Sequence, residues 1–210
     1  MRTMYKHLDS LLEKAKKKLR ISFNRLGVMG FDELNVVNTK KTTQEMFDRF
    51  LADNETMYLK AARKAYTTAV GEGKASEIDV DWVAGFLVSY NLVTGYLYDK
   101  EAERKRLRLN EQILTAREYG DRQLFNDSLR RTANLWWTQT SQYGIDVVDK
   151  ATLKAYRDKG VKWVRWVTAN DEKTCVECRD RDGKVYRINA VPSKTHYGCR
   201  CYVVPTSREE

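Results

Sequence analysis

Proline is nearly missing from this chain, with two residues among 210, Pro192 and Pro205, both close to the C-terminus. A proline inside a helix removes a backbone donor and clashes with the preceding turn, so the long stretch before Pro192 contains nothing of that kind to interrupt helices. Long apolar runs are missing too. Nowhere do 18 uncharged apolar residues follow one another, which excludes a membrane-spanning helix. The first twenty residues, MRTMYKHLDSLLEKAKKKLR, lack the apolar segment of a secretion leader, and synthesis in the cytosol is expected. No phosphate-cradling loop, nucleophile elbow or helical H-E-x-x-H site occurs, and there is no internal repeat or low-complexity segment. Histidine occurs twice, and His7 stands alone as an ordinary surface or interface residue.

Cysteine is scarce but concentrated. All four cysteines and the second histidine fall near the C-terminus, as Cys175-Val-Glu-Cys178 and then His196-Tyr-Gly-Cys199-Arg-Cys201. Soft donors brought together from two short segments are what a tetrahedral zinc site requires, and here five candidates compete for four positions. Two disulfides are the rival reading. They suit an oxidising compartment, which nothing in the sequence indicates, so clustered cysteines at ligand spacing point to a structural zinc. His196 and Cys199 repeat the two-residue spacing of Cys175 and Cys178, which favours those four as ligands. Cys201 is the alternative, because Cys199 and Cys201 on a strand would face the same way. Asp182-Gly183 between the two groups reads as a tight hairpin turn, with no helix pattern there. A catalytic metal would need an open position and a base, whereas the donors outnumber the positions. Asp171, Glu172, Asp180 and Asp182 are better explained as turn formers than as nuclease carboxylates.

The remaining sequence reads as helices. Leu8, Leu11, Leu12, Ala15 and Leu19 recur at helical spacing before Gly27 and Gly30 break the pattern. A second helix is expected from a cap at Thr42 or Thr43 to Gly71, and a third from Asp79 or Asp81 to Tyr98. A charged helix follows over 99–119. Another runs from Gly120 to a stop at Gly144, with Trp136 and Trp137 too close together to share one narrow stripe. A last short helix covers 147–157, and 161–167 is rich in strand formers. The expected fold is α+β: a predominantly helical body with a small C-terminal β-hairpin module stapled by zinc. The expected division is a helical region at 1–98, a second helical part at 99–160 and the Cys/His module at 161–210.

The net charge is +9, from 38 Lys and Arg against 29 Asp and Glu, which suits a polyanion or an acidic protein surface. Arg104, Lys105, Arg106 and Arg108 form one dense cluster. They read either as an exposed face laced with ion pairs or as a surface for DNA phosphates or an acidic partner.

The run Trp166-Val-Thr-Ala-Asn-Asp-Glu-Lys-Thr-Cys175-Val-Glu-Cys178, then Asp182-Gly183-Lys-Val-Tyr186, Pro192, His196, Cys199-Arg-Cys201 and Pro205 resembles the signature of the MuF-type phage head morphogenesis domain. The match is close from Trp163 to Pro205, general over 99–160, and without a motif in the first hundred residues. Where that family more usually has prolines flanking the histidine, this chain has Pro192-Ser-Lys-Thr-His196-Tyr197. The resemblance implies a minor capsid protein of a tailed phage, placed inside the virion at the portal. It further implies the portal protein and other capsid components as partners, contact with DNA, and no enzymatic activity, membrane or small-molecule substrate. Relatives with fused passenger domains exist, and none is expected after Pro205. The alternative function is a non-enzymatic nucleic-acid-binding zinc protein using Arg179, Arg181, Lys184, Arg187, Lys194 and Arg200 on phosphates.

Overall fold

The computed structural model describes residues 2–71, 85, 96–170, 172, 174–194 and 198–207. Among the described residues, four long helices form the body: α1 (Arg2–Val28), α2 (Val36–Val70), α3 (Tyr96–Glu118) and α4 (Arg122–Asp158). The helix expected between 79 and 98 falls almost entirely outside the described residues. No helix among the described residues is long and apolar enough to cross a membrane.

Helix α2 begins at Asn35, not at Thr42 or Thr43. The Asn35 side chain accepts the backbone N–H groups of Val37 and Asn38, and Asn38 returns the bond to the Asn35 N–H, so the first orphan donors are satisfied earlier than the apolar pattern suggested. Thr43 is instead buried, donating to Asn110 of α3 at 2.5 Å. Asp121 caps α4 by accepting from Leu124 N–H.

Helix α4 is one helix of 37 residues, where two were expected with a break at Gly144. Gly144 is needed for packing, because a Cβ built there would lie 3.0 Å from Leu8 Cδ1 of α1. Helix α1 ends at Val28, between Gly27 and Gly30 as expected.

Two apolar clusters line the body. One joins α1, α2 and α4 through Leu8, Leu12, Tyr58, Ala61, Val147 and Val148. The other, further toward the start of α4, gathers Phe23, Leu26, Phe47, Leu109, Ile113 and Trp136. The adjacent tryptophans divide as the crowding argument requires: Trp136 is fully buried and donates to Ala102 O at 3.1 Å, while Trp137 is half-buried beneath Lys16. Arg106 departs from the exposed basic face expected of 104–108. It is 7% exposed, forked onto Glu103 and placed over the Phe47 ring. Arg104 pairs with Glu101 and stays exposed.

After α4 the chain forms β1 (Trp163–Val167), a short helix α5 (Val176–Arg181), β2 (Val185–Arg187) and β3 (Tyr202–Thr206). The sheet is antiparallel with order β2-β1-β3, so β1 is central. The fold is therefore α+β, with a predominantly helical body and a small C-terminal sheet.

Candidate metal centre

Val164 and Trp166 point from β1 into the module's own core, which also holds Ile188, Val203 and three cysteines. Tyr156 of α4 belongs to the same core, so the module rests on the far end of the long helix. Asp182 and Gly183 do not form a hairpin turn between the two cysteine groups. They end α5 and tie it to β1: Gly183 N–H donates to Trp166 O, and the Asp182 carboxylate accepts Thr168 N–H at 2.8 Å. The first cysteine pair consequently sits on a helix that the spacing argument did not foresee. Cys175 is its N-cap, its sulfur accepting Cys178 N–H at 3.4 Å.

Cys178, Cys199 and Cys201 are buried, and their sulfurs all lie within 4.8 Å of one another. Cys178 Sγ and Cys199 Sγ are 3.6 Å apart, while all four cysteines are free. A tetrahedron of ~2.3 Å metal–sulfur bonds places its sulfurs ~3.8 Å apart, so the trio has the spacing that a zinc-sized ion requires. Burial raises the Cys178 thiol, and the neighbouring Cys201, Cys175 and Cys199 sulfurs add to the shift; burial likewise raises Cys199. Thiols held so far from water ionise only with a compensating cation, and a bound metal supplies one. This buried group could hold a metal ion. Cys175, partly buried, stands beside Cys178, and His196 lies outside the described residues.

A polar tie fastens the site to the body. Lys194 lies 2.6 Å from Asp149 of α4 and donates to Tyr5 Oη of α1 at 2.9 Å, and Tyr5 donates to Asp149. Gly198 N–H donates to Gln142 of α4 at 3.3 Å. Burial raises the Tyr5 hydroxyl well above its usual value, with Asp149 adding to it. Sequence spacing held no signal for these contacts, since Tyr5 and Lys194 sit at opposite ends of the chain.

The family model described as Phage Mu protein F like protein matches residues 116–204. That stretch is similar to the phage Mu F-like family. The match takes in all of α4 and the cysteine module up to β3, the two parts that share Tyr156, Lys194 and Gln142 as contacts. The family is one of phage head morphogenesis, and the match supports a capsid-related role. No curated protein and no solved structure matches the chain.

Proposed function

We propose that the chain is a minor capsid protein of the phage virion that associates with the portal region inside the procapsid, and that packaged DNA contacts its basic surface. The observation supporting this is the family match over α4 and the module. A structural zinc held by Cys178, Cys199 and Cys201, with Cys175 or His196 as the fourth ligand, would crosslink α5 to the segment before β3.

The charge distribution bears on how such contacts are made. Eight of the 27 residues of α1 are Lys or Arg and two are Asp or Glu, a net of +6 within the chain's +9. In α3, six basic residues face five acidic ones, and Arg104 and Arg106 are already paired. DNA contact is thus best assigned to α1, where cations outnumber anions, with Arg104, Lys105 and Arg108 as secondary candidates. The regulator-like alternative is less well supported. Lys194 is buried against Asp149, Arg181 bonds Ser193 O and covers Trp166, and Arg187 covers Trp163.

Purification of procapsids from infected cells carrying a tagged chain is the test. Recovery of the chain with the portal-bearing shells is expected, and its absence from heads would overturn the reading. DNA binding should be independent of sequence and fall steeply with salt.

A further inference from the structure

Helices α1 and α4 run antiparallel, with Leu8 against Gly144 at one end and Gly27 against Leu129 at the other. Over residues 16–28 of α1 the two helices line an open groove of about 720 Å³. Its length, twelve residues at 1.5 Å each, is about 18 Å, or three helical turns. The floor is apolar, formed by Leu19, Phe23, Leu129 and Ala133, and Gly27 leaves it unfilled where a side chain would project. Lys16 and Arg20 stand one turn apart on the α1 wall, and neither makes an ion pair among the described residues. No acidic residue lines the groove.

The same end of the body carries further exposed apolar residues. Val28 at the groove's mouth is 84% exposed, and Val36, Val37 and Tyr119 flank the two connections there. Arg122 of α4 pairs with Asp32 at 2.7 Å, which holds those connections side by side. This end is opposite the cysteine module, so a partner bound here would leave the module clear.

We propose that the groove is the docking site for an amphipathic helix of an acidic capsid partner, its apolar seam on Leu19, Phe23, Leu129 and Ala133 and its carboxylates on Lys16 and Arg20. This rests on the head-protein reading and names the chemistry of the partner. The dimensions and the apolar floor suit a helix laid in a groove, recognised by anchors at i, i+3, i+4 and i+7. Charge complementarity sets its sign. For a nucleic acid, Lys16, Arg20 and Arg130 on the walls would serve phosphates, but the floor is apolar and the Trp137 ring is already covered by Lys16 at 5.0 Å, leaving it closed to base stacking. A second copy would set one +6 helix against another.

Gly27→Leu is the decisive variant. Its Cβ would meet Leu129 Cδ1 at 3.8 Å, an ordinary contact, and leucine favours helix more than glycine does, so the variant should fold with a melting temperature no lower than wild type while filling the groove. The probe is a synthetic helical peptide about 18 residues long with a leucine seam and glutamate flanks, matched by one with lysine flanks. The full chain should bind the glutamate peptide and not the lysine one, with affinity falling about tenfold or more in Gly27→Leu and in Arg20→Glu. Equal binding of both peptides, or binding unchanged by Gly27→Leu, overturns the proposal. So does self-association of the wild type that Gly27→Leu abolishes. In infected cells, folded Gly27→Leu should enter heads poorly where wild type enters normally, and equal entry removes the groove from head assembly. Absence of the wild type from heads would overturn the head reading alone, since the peptide measurements stand apart from it.

Discussion

Lys194 Nζ lies 2.6 Å from the Asp149 carboxylate with 7% of the lysine side chain exposed, so the loop preceding Cys199 and Cys201 is fastened to α4 by a charge pair largely withdrawn from water. Removing one member of such a pair strands the other, and the cost exceeds that of a surface ion pair. Lys194→Met should therefore destabilise the chain by about 2 kcal/mol in denaturant unfolding, since Tyr5 still donates to Asp149. A double-mutant cycle with Tyr5→Phe should show coupling between the two. Additive losses would mean that the tie works as independent contacts.

Asp146 gives the chain a pH dependence with a definite sign. Burial raises its carboxyl from 3.8 to about 6, with the Asp149 charge adding to the shift and Lys194, Gln142 and Lys150 opposing it. A raised carboxyl pKa means that the folded state prefers the protonated form. Its stability contribution is present below about pH 4 and is lost as pH rises through about 6. Asp146→Asn, neutral at every pH, should match wild type near pH 4 and exceed it at pH 7 by about 1–2 kcal/mol, discounted for partial exposure. Paired unfolding curves at the two pH values measure this directly, and an equal difference at both would refute it.

Metal content should be about one zinc per chain, released by chelators and by acid because the thiolates must be deprotonated to bind. Replacing Cys178, Cys199 or Cys201 by serine should abolish stoichiometric metal and unfold the module, while most helical signal persists from the body's separate apolar clusters. Cobalt substitution reports the fourth ligand: the thiolate charge-transfer band should weaken in Cys175→Ser if sulfur completes the set, and stay unchanged if His196 does.

Arg106 and Arg104 should behave oppositely although they are two residues apart. Arg106→Glu places a carboxylate against Glu103 in a buried site and should cost about 3 kcal/mol or more. Arg104→Glu and Arg108→Glu, on the exposed face, should stay within about 0.5 kcal/mol of wild type. Thermal melts of the single variants separate the cases. Charge reversal aimed at a partner is therefore informative only at Arg104, Lys105 and Arg108.

Ligand spacing, a local property, made the cysteines candidates, Cys175 and Cys178 on one short segment and Cys199 and Cys201 on another, but the sheet and α5 decided that Cys178, Cys199 and the alternative donor Cys201 form the buried group. The scarcity of proline announced the helical body for a similarly local reason. Gly144 was misread because a glycine inside a helix looks like a stop, and its actual requirement comes from Leu8, far away in the chain. Arg106 looked like its neighbours in composition; its Glu103 partner is one turn away on α3, but the Phe47 ring that covers it is set by how α2 meets α3. Helix periodicity and ligand spacing are properties of nearby residues, and the sequence alone determined both. Which glycine is an end and which a contact, which arginine is free, and where an unfilled groove opens beside Gly27 depend on elements packed from distant positions, and were settled by the tertiary structure.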